Sequence, residues 1–199
     1  MNHNLLQKRI YAQGARLVFD KAYLNAELAD TYFDQIFSET SWQQHRIQCF
    51  GRDLEIPRLT AWYGDKNTTY RYSGIDLSPR PWTPLLRSIK ESLEAISGAR
   101  FNSVLLNRYR NGKDSVGWHA DDEKDLGDTP VIASLSLGAT RRFQMKHRYQ
   151  NGEKLVLDLT HGSLLVMSGN TQNNWLHQIP KTARPVGERI NLTFRFIYS

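Results

Sequence analysis

Apolar residues recur at helical spacing in two segments of the first half of the chain. In residues 25–39 the apolar positions fall on one helical face behind Asn25, a residue type that is common at N-caps. In residues 83–98 they form a stripe that begins after Thr83, another N-cap type, and ends before Gly98, which suits the end of a helix. Each pattern predicts a helix.

Short runs of alternating or β-branched residues, separated by Gly, Pro, Asn and Asp, occupy most of the remaining chain. The predicted strands are residues 101–109, 131–137, 155–159, 163–167 and 189–198. Early helices followed by many strands predict an α+β fold, with the helices packed against one face of a sandwich or barrel. Because the 199 residues contain no repeat and no linker-like tract, we expect a single domain, residues 1–199.

The composition is that of a chain that folds in water. Hydrophobic residues make up 40% and charged residues 23%, so the chain can bury a core. No apolar run reaches the roughly 20 residues of a membrane span, and the first residues lack the pattern of a cleaved leader. We therefore expect a cytoplasmic protein with no membrane association. Cys49 is the only cysteine, which excludes an internal disulfide and suits a reducing compartment.

The charge is positive overall but negative in one short segment. A formal net charge of +6 favours a polyanionic partner, because Lys and Arg gain affinity for phosphates from counterion release. Many basic proteins bind no polyanion, so charge alone leaves the partner open. The exception is the segment GWHADDE, residues 117–123, in which one imidazole and three carboxylates occupy four of five consecutive positions.

Two side chains of this acidic segment have the spacing of metal ligands. His119 and Asp121 are two positions apart, so in an extended backbone they leave from the same face and can converge on one ion. An HxD pair alone is common in proteins that bind no metal. A stable site also needs a third ligand from elsewhere in the chain.

The last predicted strand, RINLTFRFI, alternates between polar and apolar residues. Its polar face carries Arg189, Asn191, Thr193 and Arg195. Such a face is either solvated or a receptor for a small dicarboxylate, because a guanidinium group matches a carboxylate bidentately.

Two further segments favour the receptor. In FNSVLLNRY, Asn107 and Tyr109 fall on one face and offer neutral hydrogen-bonding groups. His177 lies twelve residues before Arg189, so a hairpin-like return would bring it to the receptor as the third ligand. Two histidines and one carboxylate on one side of a metal form the facial triad of non-haem Fe(II) oxygenases.

Together these motifs resemble the AlkB family of Fe(II)/2-oxoglutarate-dependent nucleic acid dealkylases. The resemblance runs from Pro57 to Phe196 and is strongest to the branch that acts on double-stranded DNA. It is carried by PRLTAWYGD, YRYSG, LSPRPWTPLL, FNSVLLNRYRNGKDSVGWHADDE, IASLSLGATRRF, HGSLLVMSG and RINLTFRFI.

The resemblance implies a fold, a reaction and its cofactors. The fold is a double-stranded β-helix, or jelly roll, with its catalytic core in residues 100–199 and an N-terminal helix and nucleotide-recognition lid within residues 1–80. The reaction is oxidative demethylation by direct reversal, in which 2-oxoglutarate and O2 are consumed and formaldehyde, succinate and CO2 are released. By resemblance, His119, Asp121 and His177 bind Fe(II). The implied 2-oxoglutarate contacts are Asn107, Tyr109, Arg189, Asn191, Thr193 and Arg195, of which Arg189 would pair with the distal carboxylate.

The resemblance also implies how a damaged base is reached. Phe50, in RIQCFGRD, matches a finger that would wedge into the base stack. Tyr72 matches a residue that stacks on a flipped base against His119, and Asp122 matches the position that approaches the base or its lid. Glu123 is either a base contact or a solvated residue paired with an Arg. The other implied substrate contacts are Gly51, Arg52, Arg58, Tyr70 and Ser73.

The implied substrates are alkylated bases in DNA, namely 1-methyladenine, 3-methylcytosine and etheno adducts, with duplex favoured over single strands. The alternatives are an RNA demethylase, a dioxygenase for a small molecule or protein, and an inactive nucleic-acid-binding module. Leu59-Thr60 and Trp62 depart from the related branch, which commonly has Lys-Gln and a smaller residue there, so lesion range is less determined than the reaction. We expect a monomer that acts in the nucleoid or the nucleus.

Overall fold

The architecture comes from a computed structural model that describes residues 7–49, 52–66, 68, 70–72, 75–77 and 79–198. The strands, in chain order, are β1 (Gln7–Ala12), β2 (Ala15–Asp20), β3 (Arg46–Cys49), β4 (Arg52–Glu55), β5 (Leu59–Gly64), β6 (Tyr70–Tyr72), β7 (Ile75–Leu77), β8 (Ser103–Tyr109), β9 (Val116–His119), β10 (Ile132–Gly138), β11 (Arg141–His147), β12 (Lys154–Leu159), β13 (Ser163–Ser168), β14 (Trp175–Ile179) and β15 (Arg189–Arg195). The helices are α1 (Ala26–Glu39), α2 (Pro84–Ser97) and the single turn α3 (Thr171–Asn174), and a 3₁₀ turn covers Lys124–Leu126.

The strands form two main antiparallel sheets. The large sheet has the order β1-β2-β13-β10-β15-β8-β5, and the small sheet has the order β12-β11-β14-β9. Two separate hairpins, β3–β4 and β6–β7, complete the paired strands of the described residues. This arrangement confirms the predicted α+β jelly roll. It also shows that the first 80 residues supply β1, β2 and β5 to the large sheet, in addition to α1 and the hairpins.

Both predicted helices are confirmed with their caps. Asn25 Oδ1 accepts a hydrogen bond from the Leu28 backbone N–H at 2.9 Å, and Thr83 accepts one from Leu86 at 3.2 Å. Gly98 ends α2 in the left-handed conformation, with φ of 66°. In the described part of the chain, every helix is too short or too polar to cross a membrane.

The two faces of the large sheet have different partners. On one face, Ile190 and Phe194 pack in a core with Ile36 of α1 and with Leu86 and Leu93 of α2. On the other face, a second core lies between the sheets and joins residues such as Leu17 and Ile132 of the large sheet to Phe143 and Trp175 of the small sheet. The odd-numbered polar residues of β15 therefore point between the sheets, away from the helices.

This orientation decides between the two interpretations of the last strand. Arg189 is 1% exposed, Asn191 is 7% exposed and Thr193 is 8% exposed, so the polar face is not solvated. The strand ends at Arg195, three residues before the predicted end at 198. Buried polar side chains in a row require partners, and here the row lines the interior of the jelly roll.

Candidate metal centre and co-substrate pocket

Three side chains with metal-binding atoms converge at the open end of the small sheet. His119 is the last residue of β9 and lies directly opposite His177 of β14 in the strand register. Asp121 follows two residues after the end of β9. The ligand atoms of His119, Asp121 and His177 all lie within 4.8 Å of one another. Strand pairing thus places His177 where the predicted third ligand of the HxD pair would lie.

The two histidines are held in a state that can bind a metal. The Nδ1–H of His119 donates to the Gly117 carbonyl at 2.8 Å, because a carbonyl can only accept, and this leaves Nε2 for a ligand role. Burial lowers the pKa of His177 to about 3, and the neighbouring His119 acts in the same direction. His177 is therefore neutral at pH 7, with a lone pair available to an ion.

Asp121 is fixed from two sides. One carboxylate oxygen, Oδ1, accepts a hydrogen bond from Arg195 Nη2 at 2.7 Å, and the backbone N–H donates to Gln172 Oε1 at 3.0 Å. Burial, the largest single influence, would raise the pKa of Asp121, but the charge and hydrogen bond of Arg195 together with His177 and His119 outweigh it, and the pKa lies below its ordinary value. The carboxylate is therefore ionised at neutral pH. No sequence motif pointed to Gln172, because its partner is a backbone group 51 positions away.

The donor set fits a divalent transition metal. Two neutral imidazoles and one carboxylate on one side of a site are the facial triad of non-haem Fe(II) enzymes. In the described part of the chain, these residues are the one group of three or more His, Cys, Asp or Glu side chains placed to hold an ion.

A buried guanidinium group marks the predicted co-substrate pocket. Arg189 Nη2 donates to Ser136 Oγ at 3.0 Å, whereas its Nε and Nη1 atoms are buried and have no hydrogen-bond partner among the described residues. Burial lowers the pKa of Arg189 to about 10, so the group is still charged at pH 7. Buried donors on a cation are costly unless an acceptor satisfies them, and the carboxylate of a small dicarboxylic acid is such an acceptor.

The neighbouring strands align the other predicted 2-oxoglutarate contacts. In the register of β8 with β15, Tyr109 lies opposite Arg189 and Asn107 lies opposite Asn191. Asn191 donates to Ser134 Oγ at 2.8 Å. Thr193 donates to Asn191 Oδ1 at 2.9 Å and so fixes the orientation of that amide. The six predicted positions thus share one interior surface, with Arg195 at its metal end and Arg189 at the other.

A cavity of about 710 Å³ opens beside the candidate metal ligands His119 and Asp121. Its walls combine apolar and polar side chains from several elements, including Arg58, Thr60, Trp62, Arg80, Leu105 and Glu123. Arg58 reaches inward, where its Nε donates to Asn107 Oδ1 at 2.7 Å. The substrate contacts predicted at Arg58 and Glu123 therefore lie on the cavity wall.

Asp122 is oriented differently from Asp121. Its Oδ2 atom lies 2.5 Å from Arg148 Nη2, and its side chain is 40% exposed. The three acids of the segment thus divide between the metal site, a surface ion pair and the cavity wall, which Glu123 lines.

The predicted finger and lid are described only in part. Phe50, Gly51 and Ser73 lie outside the described residues. Arg52, Tyr70 and Tyr72 are described by backbone pairing alone, Arg52 opposite Cys49 and Tyr72 opposite Ile75. Their substrate roles stay predictions.

A jelly roll that holds His-x-Asp and a distal histidine beside a buried arginine defines the class of Fe(II)/2-oxoglutarate-dependent oxygenases. The family profile described as the 2OG-Fe(II) oxygenase superfamily matches residues 16–195. A solved prolyl hydroxylase from Trichoplax adhaerens, in complex with a hypoxia inducible factor peptide fragment, superposes with a TM-score of 0.63 over 90% of this chain and 83% of that one. At 10% identity that likeness supports the fold alone.

Relatives at higher identity narrow the class. Alpha-ketoglutarate-dependent dioxygenase alkB homolog 3 of Homo sapiens is 42% identical over 193 residues, which cover 92% of this chain and 67% of that protein. DNA oxidative demethylase ALKBH2 of Homo sapiens is 38% identical over 200 residues, which cover 96% and 76%. The chain belongs to the AlkB family of 2-oxoglutarate- and Fe(II)-dependent dioxygenases. Its cofactor is Fe(II), and its co-substrates are 2-oxoglutarate and O2.

Proposed function

We propose that this dioxygenase removes alkyl groups from N-alkylated bases in DNA, with 1-methyladenine and 3-methylcytosine as the main substrates and etheno adducts as further ones. The observation that carries the proposal is the cavity of about 710 Å³, because the metal ligands His119 and Asp121 form part of its wall. A group bound there is presented directly to the metal centre. When bound, Fe(II) and 2-oxoglutarate supply the oxidation of the alkyl carbon by O2.

The cavity has the size and lining of a pocket for a flat ring. Its volume lies within the roughly 300–1,000 Å³ of typical small-ligand sites. Trp62 and Leu105, paired across β5 and β8, give one apolar wall, while Arg58 and Arg80 add positive charge. Enzymes that act on a base take it out of the stack into such a pocket, and positive charge favours the phosphates that follow it.

The chain's own residues divide the remaining work. Arg189 receives the distal carboxylate of 2-oxoglutarate, and its two unsatisfied donor atoms support this assignment. Arg195, bonded to Asp121, orients a metal ligand at the other end of the pocket. Asn107 links this pocket to the substrate cavity through its bond to Arg58.

The name of one relative, DNA oxidative demethylase ALKBH2, supports DNA over RNA as the substrate. The net charge of +6 supports a nucleic acid of either kind. We also propose that the protein acts as a monomer and prefers duplex DNA over single strands. Its proposed location is the nucleoid or the nucleus.

The direct test is turnover of oligonucleotides that carry one 1-methyladenine or 3-methylcytosine, as duplex DNA, single-stranded DNA and RNA. We expect formaldehyde, succinate and repaired base in equal amounts, dependent on added Fe(II) and 2-oxoglutarate. Higher turnover on RNA would favour the RNA demethylase. Succinate without base repair would favour a small-molecule or protein substrate, and no turnover by the iron-loaded protein would indicate an inactive module.

Replacing Phe50 with alanine should reduce turnover of duplex DNA about tenfold and leave single-stranded DNA within about twofold. The reason is that a wedge offsets an unstacking cost of a few kcal/mol that only a duplex imposes. Initial rates on duplex and single-stranded DNA give the ratio of the two losses. Ile96→Ala is the matched control, since Ile96 is an exposed apolar residue at the end of α2, on the helix side of the sheet. Equal losses on both substrates would remove the wedge assignment.

Asp122→Ala should raise the KM for an alkylated oligonucleotide about 2- to 5-fold, the scale of a partly exposed charge contact. The bases 1-methyladenine and 3-methylcytosine carry positive charge, and Asp122 places a carboxylate next to the metal ligand Asp121. Iron content should not change, because Asp122 pairs with Arg148 and not with the metal site. The control variant for the kinetics and the iron analysis is Asp128→Ala, because Asp128 is an exposed acidic residue of the following loop. Loss of iron in proportion to activity would contradict the substrate role.

A further inference from the structure

Arg141, the first residue of β11, is a second buried guanidinium group near the co-substrate pocket. It is 2% exposed. Its Nη1 donates to the Asn111 carbonyl at 3.1 Å, and its Nη2 donates to the carbonyls of Asp114 at 2.9 Å and Pro180 at 2.7 Å. These carbonyls belong to the β8–β9 and β14–β15 connections, so Arg141 ties both to the small sheet.

Among the described residues, the guanidinium group of Arg141 makes no hydrogen bond to a carboxylate. Its described hydrogen bonds all go to neutral carbonyl oxygens. The nearby carboxylate of Asp114 is already bound bidentately by Arg110, at 2.8 and 2.9 Å. Burial lowers the pKa of Arg141, with Tyr109 and Asp114 opposing that shift. A buried cation whose hydrogen bonds go only to neutral dipoles is not neutralised by them, so its charge acts on nearby charged groups.

One aromatic ring connects Arg141 to the pocket. The Arg141 Cζ atom lies 5.5 Å from the centroid of the Tyr109 ring, and Arg189 Cζ lies 5.1 Å from the same centroid. Tyr109 itself is 2% exposed. Two buried guanidinium groups on one ring repel each other at low dielectric, and a bound anion at this end of the pocket would relieve that repulsion.

We propose that Arg141 is a positioning residue for 2-oxoglutarate, which holds the Tyr109 ring beside Arg189 and adds a second buried positive charge that strengthens binding of the distal carboxylate. The proposal rests on the role of Arg189 in the proposed function. It extends the co-substrate site to a residue on the other sheet, beyond the six positions of β8 and β15.

Arg141→Gln should weaken 2-oxoglutarate binding about tenfold, because it removes one of the two buried positive charges that attract the distal carboxylate. Arg141→Lys keeps the charge and should stay within about threefold of wild type. Arg142→Gln is the matched control, because Arg142 is the next residue of β11 and pairs with Asp158 at the exposed outer face. Its affinity should equal that of wild type.

The measurement is calorimetric titration of the full chain loaded with Mn(II), without O2, using 2-oxoglutarate and then 2-oxobutyrate, which lacks the distal carboxylate. Arg141→Gln should weaken only the dicarboxylate. Equal weakening of both ligands would show a merely structural tie and overturn the proposal. An unchanged affinity of Arg141→Gln for 2-oxoglutarate would also overturn the proposal. A loss of affinity of tenfold or more in Arg141→Lys would overturn it too, and this second variant tests the proposal even if Arg141→Gln fails to fold. Absence of 2-oxoglutarate binding by wild type would instead overturn the proposed function.

Discussion

Replacing His119 with alanine should lower turnover of methylated DNA by at least about 100-fold, beyond the ~10–100-fold typical of losing a residue that only supports a metal ligand. His119 is one of three candidate metal ligands whose ligand atoms lie within 4.8 Å of one another, so its loss leaves Asp121 and His177 as an incomplete set. The ring also forms part of the cavity wall, so both the metal and the base lose a contact.

Nucleic acid binding by the same variant should be nearly unchanged, with the same salt dependence. Phosphate contacts come from Lys and Arg and do not need the metal. Iron content, turnover and binding to an alkylated duplex at several salt concentrations are the three measurements. His161→Ala is the control, since His161 accepts a hydrogen bond from the Gly138 N–H on the side of α1, where it also lies near Asp30. Full iron content with lost turnover would place His119 on the base and not on the metal.

The elements predicted well from sequence were those whose signals are local. Helices α1 and α2 carry their caps within three residues of their first turns, at Asn25 and Thr83. The alternation of β15 fixed which side chains share a face, because the period of a strand is two. It could not show whether that face meets water or a second sheet, because the sheet that covers it is formed by other strands, β12, β11, β14 and β9.

The parts of the site that were missed depend on contacts between distant residues. Gln172 holds the Asp121 backbone from 51 positions away, and Arg141 bonds to carbonyls 27 and 39 positions from it. Neither residue belongs to a motif with a chemical signature of its own. A glutamine or arginine in a polar stretch is usually on the surface, so only the folded chain reveals that these two are buried.

The acidic segment, residues 117–123, contains both a feature that the sequence predicted and contacts that only the folded chain reveals. The spacing of His119 and Asp121 correctly predicted that their side chains converge, although β9 ends at His119 and Asp121 lies beyond the strand. Their convergence comes from the register of β9 with His177 and from the bond of Asp121 to Arg195. Asp122 turns to Arg148 instead. Of the acids that this basic protein concentrates here, Asp121 is the one placed to complete a cation site.

Arg189→Gln should weaken 2-oxoglutarate binding on the order of 100-fold or more, because removing one partner of a buried, hydrogen-bonded charge pair costs about 2–5 kcal/mol. Turnover at ordinary co-substrate concentration should fall accordingly and recover in part at high concentration. The KM for the oligonucleotide should change little, since the cavity wall does not include Arg189. Arg108→Gln is the control, because Arg108 lies on the opposite face of β8 and pairs bidentately with Glu188 at 2.6 and 3.0 Å.

Stability provides a second, independent measure of the same substitution. Arg189 is buried with two donor atoms unsatisfied among the described residues, so a neutral side chain removes a desolvation cost. The Tm of the ligand-free variant should therefore equal or exceed that of wild type. Addition of 2-oxoglutarate at ~100 times its Kd should stabilise wild type by about 2.7 kcal/mol, and the same concentration should stabilise the variant far less. A ligand-free variant that is strongly destabilised would mean that Arg189 supports the fold, and its role as the receptor for the distal carboxylate would then lose its main support.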